Sequence, residues 1–207
     1  MRAWPFATVV FWTLQAYAQV PAGVVPDQLF GTTYVKYEPV FGSGKLTGCS
    51  LHFKALTRDA PRGSNFPVFL VGSIGALKTE TKFGGYSKVT IQDVGMSAGQ
   101  IDIKGARPAA ANFITPGGIS TAGSTINRQS DDPLYLFTVI ELGRFLEVIA
   151  EAGDKQRIML AVNRQGSALD MSTELDLTVV DMKPSGERVH DSEQLMGLLR
   201  CIVALGK

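Results

Sequence analysis

Apolar and polar residues alternate with a period of two in several parts of this chain, and that pattern leaves little room for anything but a sheet. Cys49-Ser50-Leu51-His52-Phe53-Lys54 puts Cys49, Leu51 and Phe53 on one face and Ser50, His52 and Lys54 on the other. Lys88-Val89-Thr90-Ile91-Gln92, Gln100-Ile101-Asp102-Ile103-Lys104 and Glu174-Leu175-Asp176-Leu177-Thr178-Val179 repeat it, and Thr33-Tyr34-Val35-Lys36-Tyr37 is a weaker instance. Such segments read as half-buried strands. Pro67-Val68-Phe69-Leu70-Val71 is apolar throughout, as a strand buried on both faces would be. Turns are predicted at residues 61–63, Gly84-Gly85, Pro116-Gly117-Gly118 and Pro184-Ser185-Gly186, where Gly and Pro punctuate the runs. Residues 157–162, followed by Asn163-Arg164-Gln165-Gly166, predict one further hairpin.

Two stretches break the alternation. Residues 141–152 (ELGRFLEVIAEA) carry Leu142, Phe145, Leu146 and Ile149 at helical spacing, with Gly153 available to end the helix. Its start is open, because residues 134–140 suit either a strand or an earlier part of the same helix. The second helix begins at Asp191, an N-cap with Gln194 three residues on, and runs through Leu195, Leu198, Leu199 and Ile202 to Gly206. Residues 105–132, low in charge and rich in Ala, Gly, Thr and Ser, read as a long loop with a short strand near 112–115. The expected fold is mainly β: an antiparallel two-layer β-sandwich with one or two packed α-helices, including a C-terminal helix.

The first eighteen residues have the layout of a secretory signal. Met1-Arg2 is a short basic start, residues 3–14 are mostly apolar, and Ala16-Tyr17-Ala18 offers small residues at an A-x-A-like cleavage site. The apolar run is shorter than the ~20 residues that span a bilayer. Residues 1–18 are therefore expected to be cleaved, leaving residues 19–207 as a single exported domain, periplasmic or secreted, without a membrane span. An exported chain with two cysteines predicts one disulfide, Cys49 to Cys201, closing the last helix onto an early strand. The chain has 20 Lys and Arg against 19 Asp and Glu, and Arg2 is the only charged side chain in the leader. A neutral, scattered charge distribution gives no phosphate-tracking stripe, so nucleic acid is not an expected partner.

Motifs that carry chemistry are few. Gly95-Met96-Ser97-Ala98-Gly99 fits G-x-S-x-G, the turn that presents a nucleophilic Ser in α/β hydrolases. Asp170 or Asp176 and then His190 follow in the matching chain order, which makes Ser97, His190, Asp170 and Asp176 the candidate catalytic set. Yet a strand-like run follows Gly99 where a helix should open, so a hairpin turn explains the glycines equally well. Gly42-Ser43-Gly44-Lys45-Leu46-Thr47 lacks the first Gly and the Ser or Thr of a phosphate loop, and reads as a loop between strands. His52 and His190 are the only histidines and lack metal-ligand spacing, so no metal and no cofactor is implied. Asp131-Asp132-Pro133 reads as a helix start, with Asp as N-cap and Pro at N1. Asp59, Asp170 and Asp176 stay unranked as members of a carboxylate pair. Of the aromatic residues, Tyr34, Tyr37, Phe41, Phe66, Phe83 and Tyr86 fall in the first half of the mature chain, with core packing as their default.

An exported sandwich without catalytic spacing is expected to be a non-catalytic binding or accessory protein. It would recognise a protein or envelope component through loops or a sheet edge. The alternatives are a small serine hydrolase using Ser97 and a structural subunit of a cell-surface assembly.

Overall fold

The computed structural model describes residues 26–59, 67–80, 82–97, 100–164 and 170–207, without the side chains of Met96, Ser97 and Asp170. The expected leader and the turn at 61–63 lie outside the described residues. Four long strands form an antiparallel meander: β1 (Gly31–Gly42), β2 (Lys45–Arg58), β3 (Pro67–Lys78) and β4 (Phe83–Ser97). The β1–β2 connection is a two-residue turn at Ser43 and Gly44, both left-handed (φ 51° and 77°). Positive φ at both central residues gives the primed twist that matches flanking strands, so the phosphate-loop look-alike is a hairpin.

β4 is long enough to pair with two strands. Its first half pairs with β8 (Leu136–Ile140) and its second with β5 (Gln100–Ala106), while β8 pairs in turn with β7 (Thr125–Arg128). The resulting seven-stranded sheet has the order β1-β2-β3-β4-β8-β7, with β5 on β4. A second sheet, β10-β9-β6, uses β6 (Pro108–Ile114), β9 (Arg157–Arg164) and β10 (Asp170–Asp176). β11 (Val179–Met182) and β12 (Arg188–His190) make a small ribbon beside β1. Helices α1 (Leu142–Lys155) and α2 (Glu193–Leu205) complete the second layer, α1 over β4 and β9 and α2 over β1, β2 and β3.

The core lies between the layers. Leu51, Phe53, Leu70, Ile74, Val89, Ile91, Leu136 and Ile140 of the large sheet meet Phe113, Ile158, Leu160, Leu175, Phe145 and Leu198. Phe53 and Phe113 cross edge to face with centroids 6.0 Å apart. A mainly β, antiparallel, sandwich-like fold with a C-terminal helix is what the alternation implies.

The disulfide joins Cys49, fully buried, to Cys201 on α2, with Cα atoms 6.0 Å apart. Around it α2 is held by other means. Gln194 Oε1 accepts the Tyr37 backbone N–H at 2.9 Å, Gly197 lies against the Tyr37 ring, and Lys78 Nζ donates to the Leu205 carbonyl at 2.7 Å. Arg188 clamps the start of β1 by donating to three carbonyls, those of Thr32 (2.8 Å), Gln28 (3.2 Å) and Phe30 (2.5 Å).

Several expectations are corrected. Residues 105–132 are not one long loop, since β6 and β7 lie within them; small residues such as Ala111 face the core there, where bulk comes from the other layer. Asp131-Asp132-Pro133 starts a turn rather than a helix, in which Asp132 accepts the Leu134 N–H (2.9 Å) and its carbonyl accepts Tyr135 N–H (3.1 Å). Residues 136–140 are strand. Gly84-Gly85 sits inside β4, because a Cβ on Gly85 would lie 2.3 Å from the Phe145 ring that packs there. Residues 67–71 alternate between buried and half-buried, one face of β3 being open. α1 runs through Gly153, whose missing side chain admits Leu199 of α2, and ends where Gln156 turns left-handed (φ 57°). At α2, Asp191 Oδ1 accepts the Glu193 N–H, but Gln194 reaches Tyr37 rather than closing a capping box.

Candidate functional site

Two places stand out, a polar cleft and a projecting strand edge. The cleft forms where α1 ends, β10 ends and α2 begins. It is open, about 510 Å³, and lined by Lys155, Gln156, Arg157, Asp176, Thr178, His190, Asp191 and Ser192. Asp176 is placed by its own backbone N–H, which donates to Thr32 Oγ1 of β1 at 2.7 Å. Thr178 Oγ1 is 2.7 Å from Asp176 Oδ1 and 2.8 Å from His190 Nδ1.

A carboxylate only accepts, so the single hydroxyl proton of Thr178 goes to Asp176, and Thr178 Oγ1 must accept from His190 Nδ1–H. His190 is thus oriented through a hydroxyl onto a carboxylate, with its Nε2 directed away from that chain. Thr178 was not singled out from sequence: it lies in the turn at 177–178 that breaks the strand expected over 174–179, where its N–H and hydroxyl both donate to Asp176 Oδ1. Lys155 and Arg157 arrive from the α1–β9 junction and had no sequence signal.

Asp176 and His190 are therefore brought together, 3.8 Å apart at their nearest atoms. Ser97 belongs to a different hairpin, where its backbone pairs with Gln100 at the far end of β4. β1, whose Thr32 accepts the Asp176 N–H, and β4 are three strand spacings apart, about 14 Å at roughly 4.8 Å each. Asp170 opens β10 opposite Asn163. Asp59 is fully buried, with Arg164 Nη2 2.9 Å from its Oδ2 and 2.7 Å from Asp93 Oδ1. That cluster ties the ends of β2 and β9 to β4 at Asp93 and holds Asp59 away from solvent. His52 lies 3.4 Å from Glu38 on the open face of the large sheet. Among the described residues no group of three or more His, Cys, Asp or Glu is placed to hold a metal ion, and no helix is long and apolar enough to cross a membrane.

The open face of the large sheet is less polar than its alternation suggests. Tyr86 lies flat over Gly75, only 8% exposed, and stacks on Phe137 at 5.9 Å between centroids. Lys54 sits over the Phe69 ring at 4.0 Å. Burial pushes the Tyr86 phenol above its ordinary 10.0, with the Ser50 and Ser73 hydroxyls beside it pulling weakly the other way. A raised folded value means the neutral phenol favours the fold, so this stability is present below pH 10 and lost as pH rises through the folded value. Urea unfolding between about pH 9 and 11 should show that decline, and Tyr86→Phe should flatten it. An unchanged slope in the variant would assign it elsewhere.

The strand edge belongs to β5. β3 stops pairing with β4 at Val68 opposite Asp93, and the β4–β5 ribbon continues past it. Within the ribbon Val94 faces Ile103 and Met96 faces Ile101. Ile101 is 72% and Ile103 50% exposed, so the expected half-buried strand carries its apolar side chains in the open among the described residues. Among the described residues β5 is paired with β4 alone. Leu134, 45% exposed, lies over Gly105 on the same side as the two isoleucines.

No protein-family model, no curated protein and no solved structure matches the chain.

Proposed function

We propose that the chain is a non-catalytic, exported binding or accessory protein that recognises a protein by strand addition at β5. One observation carries this reading: an edge strand that pairs, among the described residues, with β4 alone, carries two exposed isoleucines and projects beyond the body of the sheet. Such an edge is normally blunted by proline, a bulge or a covering element, because it templates pairing with another chain. Strand addition takes affinity from the backbone groups and selectivity from alternate side chains. The leader layout and the disulfide support a periplasmic or secreted location.

The test is affinity capture from the native host after cross-linking, comparing the wild type with an Ile101→Lys, Ile103→Lys double variant. Both side chains are exposed, so the fold is expected to survive. A dominant partner at fixed ratio, lost in the variant, is the expected result; capture unchanged by the variant moves recognition elsewhere. Many copies per assembly would instead favour the structural-subunit reading.

A second reading rests on the oriented His190. As a serine hydrolase the protein would need Ser97 to meet its Nε2 across the distance between two hairpins. A fluorophosphonate probe decides it: labelling that disappears in Ser97→Ala supports the hydrolase, and no labelling removes it.

A further inference from the structure

The proposed recognition edge has a pattern that names its own occupant. Resting on that reading, we propose that β5 pairs with β5 of a second copy, antiparallel about a two-fold axis at Ile103. In that register Asp102 stands opposite Lys104 of the second copy, and Lys104 opposite its Asp102. The two are opposite in charge and share a face, as their own contact at 3.3 Å shows. Opposite charges directly across an antiparallel pair stabilise it, and like charges destabilise it.

Neighbouring registers fail on the same residues. Moving the axis one residue toward the start of β5 sets Asp102 against Asp102, and one residue the other way sets Lys104 against Lys104. A half-step sets Ile103 against Asp102 or Lys104 and sends the apolar and charged faces to opposite sides. Of these registers the axis at Ile103 alone satisfies both faces.

The apolar side fits as well. Ile103 meets Ile103, and Ile101 of the second copy stands opposite Gly105, where no side chain competes. Leu134 already covers Gly105, so the incoming Ile101 packs against Leu134. The two large sheets become one continuous antiparallel sheet, and both edges are closed by the same contact, as a two-fold interface requires. Seven residues of β5 bury less than the roughly 1,200 Å² of a standard interface, so association should depend on concentration.

Sedimentation of the intact chain tests this with charge swaps at exposed positions. The wild type is expected to dimerise as concentration rises, and Asp102→Lys or Lys104→Asp to raise the dissociation constant at least about tenfold. The combined Asp102→Lys, Lys104→Asp protein restores the complement and should recover the dimer. Ile103→Cys should oxidise to a covalent dimer, since that residue meets itself. A wild type that is monomeric up to about 1 mM overturns the proposal, as does a dimer indifferent to the single swaps. A monomer whose captured partner is still lost with Ile101→Lys, Ile103→Lys overturns self-pairing but keeps edge recognition. A swap-sensitive dimer that captures nothing else supports self-pairing and removes a foreign partner.

Discussion

Breaking the Cys49–Cys201 bond is expected to cost the fold as much as about 5 kcal/mol, the largest effect of any single covalent change in this molecule. The bond spans 152 residues, and a loop that long has much unfolded-chain entropy to lose on closure. Native strain or residual structure in the unfolded chain lowers the figure. Small domains have roughly 5–15 kcal/mol in all, so at that upper limit the loss is a third or more of the total. Urea unfolding with and without reductant measures it, with a Cys49→Ala, Cys201→Ala protein as control. The control should be insensitive to reductant, and thiol counting on the denatured, unreduced wild type should find none. Equal midpoints for oxidised and reduced protein would show that the helix is held by its other contacts.

Gly75→Ala is expected to destabilise by about 3 kcal/mol or more, although it adds one methyl group. A Cβ there would lie 2.0 Å from the Cys49 carbonyl oxygen and 2.9 Å from the Tyr86 ring. The oxygen is backbone in the middle of β2, so no rotamer change relieves the clash and the β2–β3 pairing must open. Gly84→Ala is the matched control, its nearest neighbour being the Ile140 carbonyl at 3.9 Å. Thermal melts should separate the two variants widely. Similar melting temperatures would mean that β2 yields more easily than its buried position suggests.

How much of this was legible in the residues depended on whether a local pattern settled the outcome. β2 and β10 show alternation because one face is core and the other is not, and α2 shows its stripe because Leu195, Leu198 and Ile202 meet one sheet. The disulfide followed from having only two cysteines. β6 showed only as the short strand expected near 112–115, its Ala-rich first half being hidden because a strand packed under Phe53 needs little bulk of its own. Gly85 misled for a related reason: glycine reads as a turn, whereas here it makes room for Phe145. Of the sites, Asp176 and His190 were named but their link through Thr178 was not, since a hydroxyl relay has no spacing of its own. β5 was read as a strand, yet its exposure is a property of the whole arrangement, of β3 ending before β4 does.

The contacts that close the two ends of the chain also set the order in which it can fold. Arg188 reaches carbonyls 156 to 160 residues earlier, and Cys201 reaches Cys49 over 152. A chain delivered from its N-terminus first therefore presents β1 and β2 with part of their core face bare until α2, thirteen residues long, has followed. Non-local closure of this kind is slow, because the entropy of a long loop is lost before any contact compensates. The β4–β5 ribbon, by contrast, closes locally, with Ser97 paired to Gln100, so its edge needs no contact from the far end of the chain.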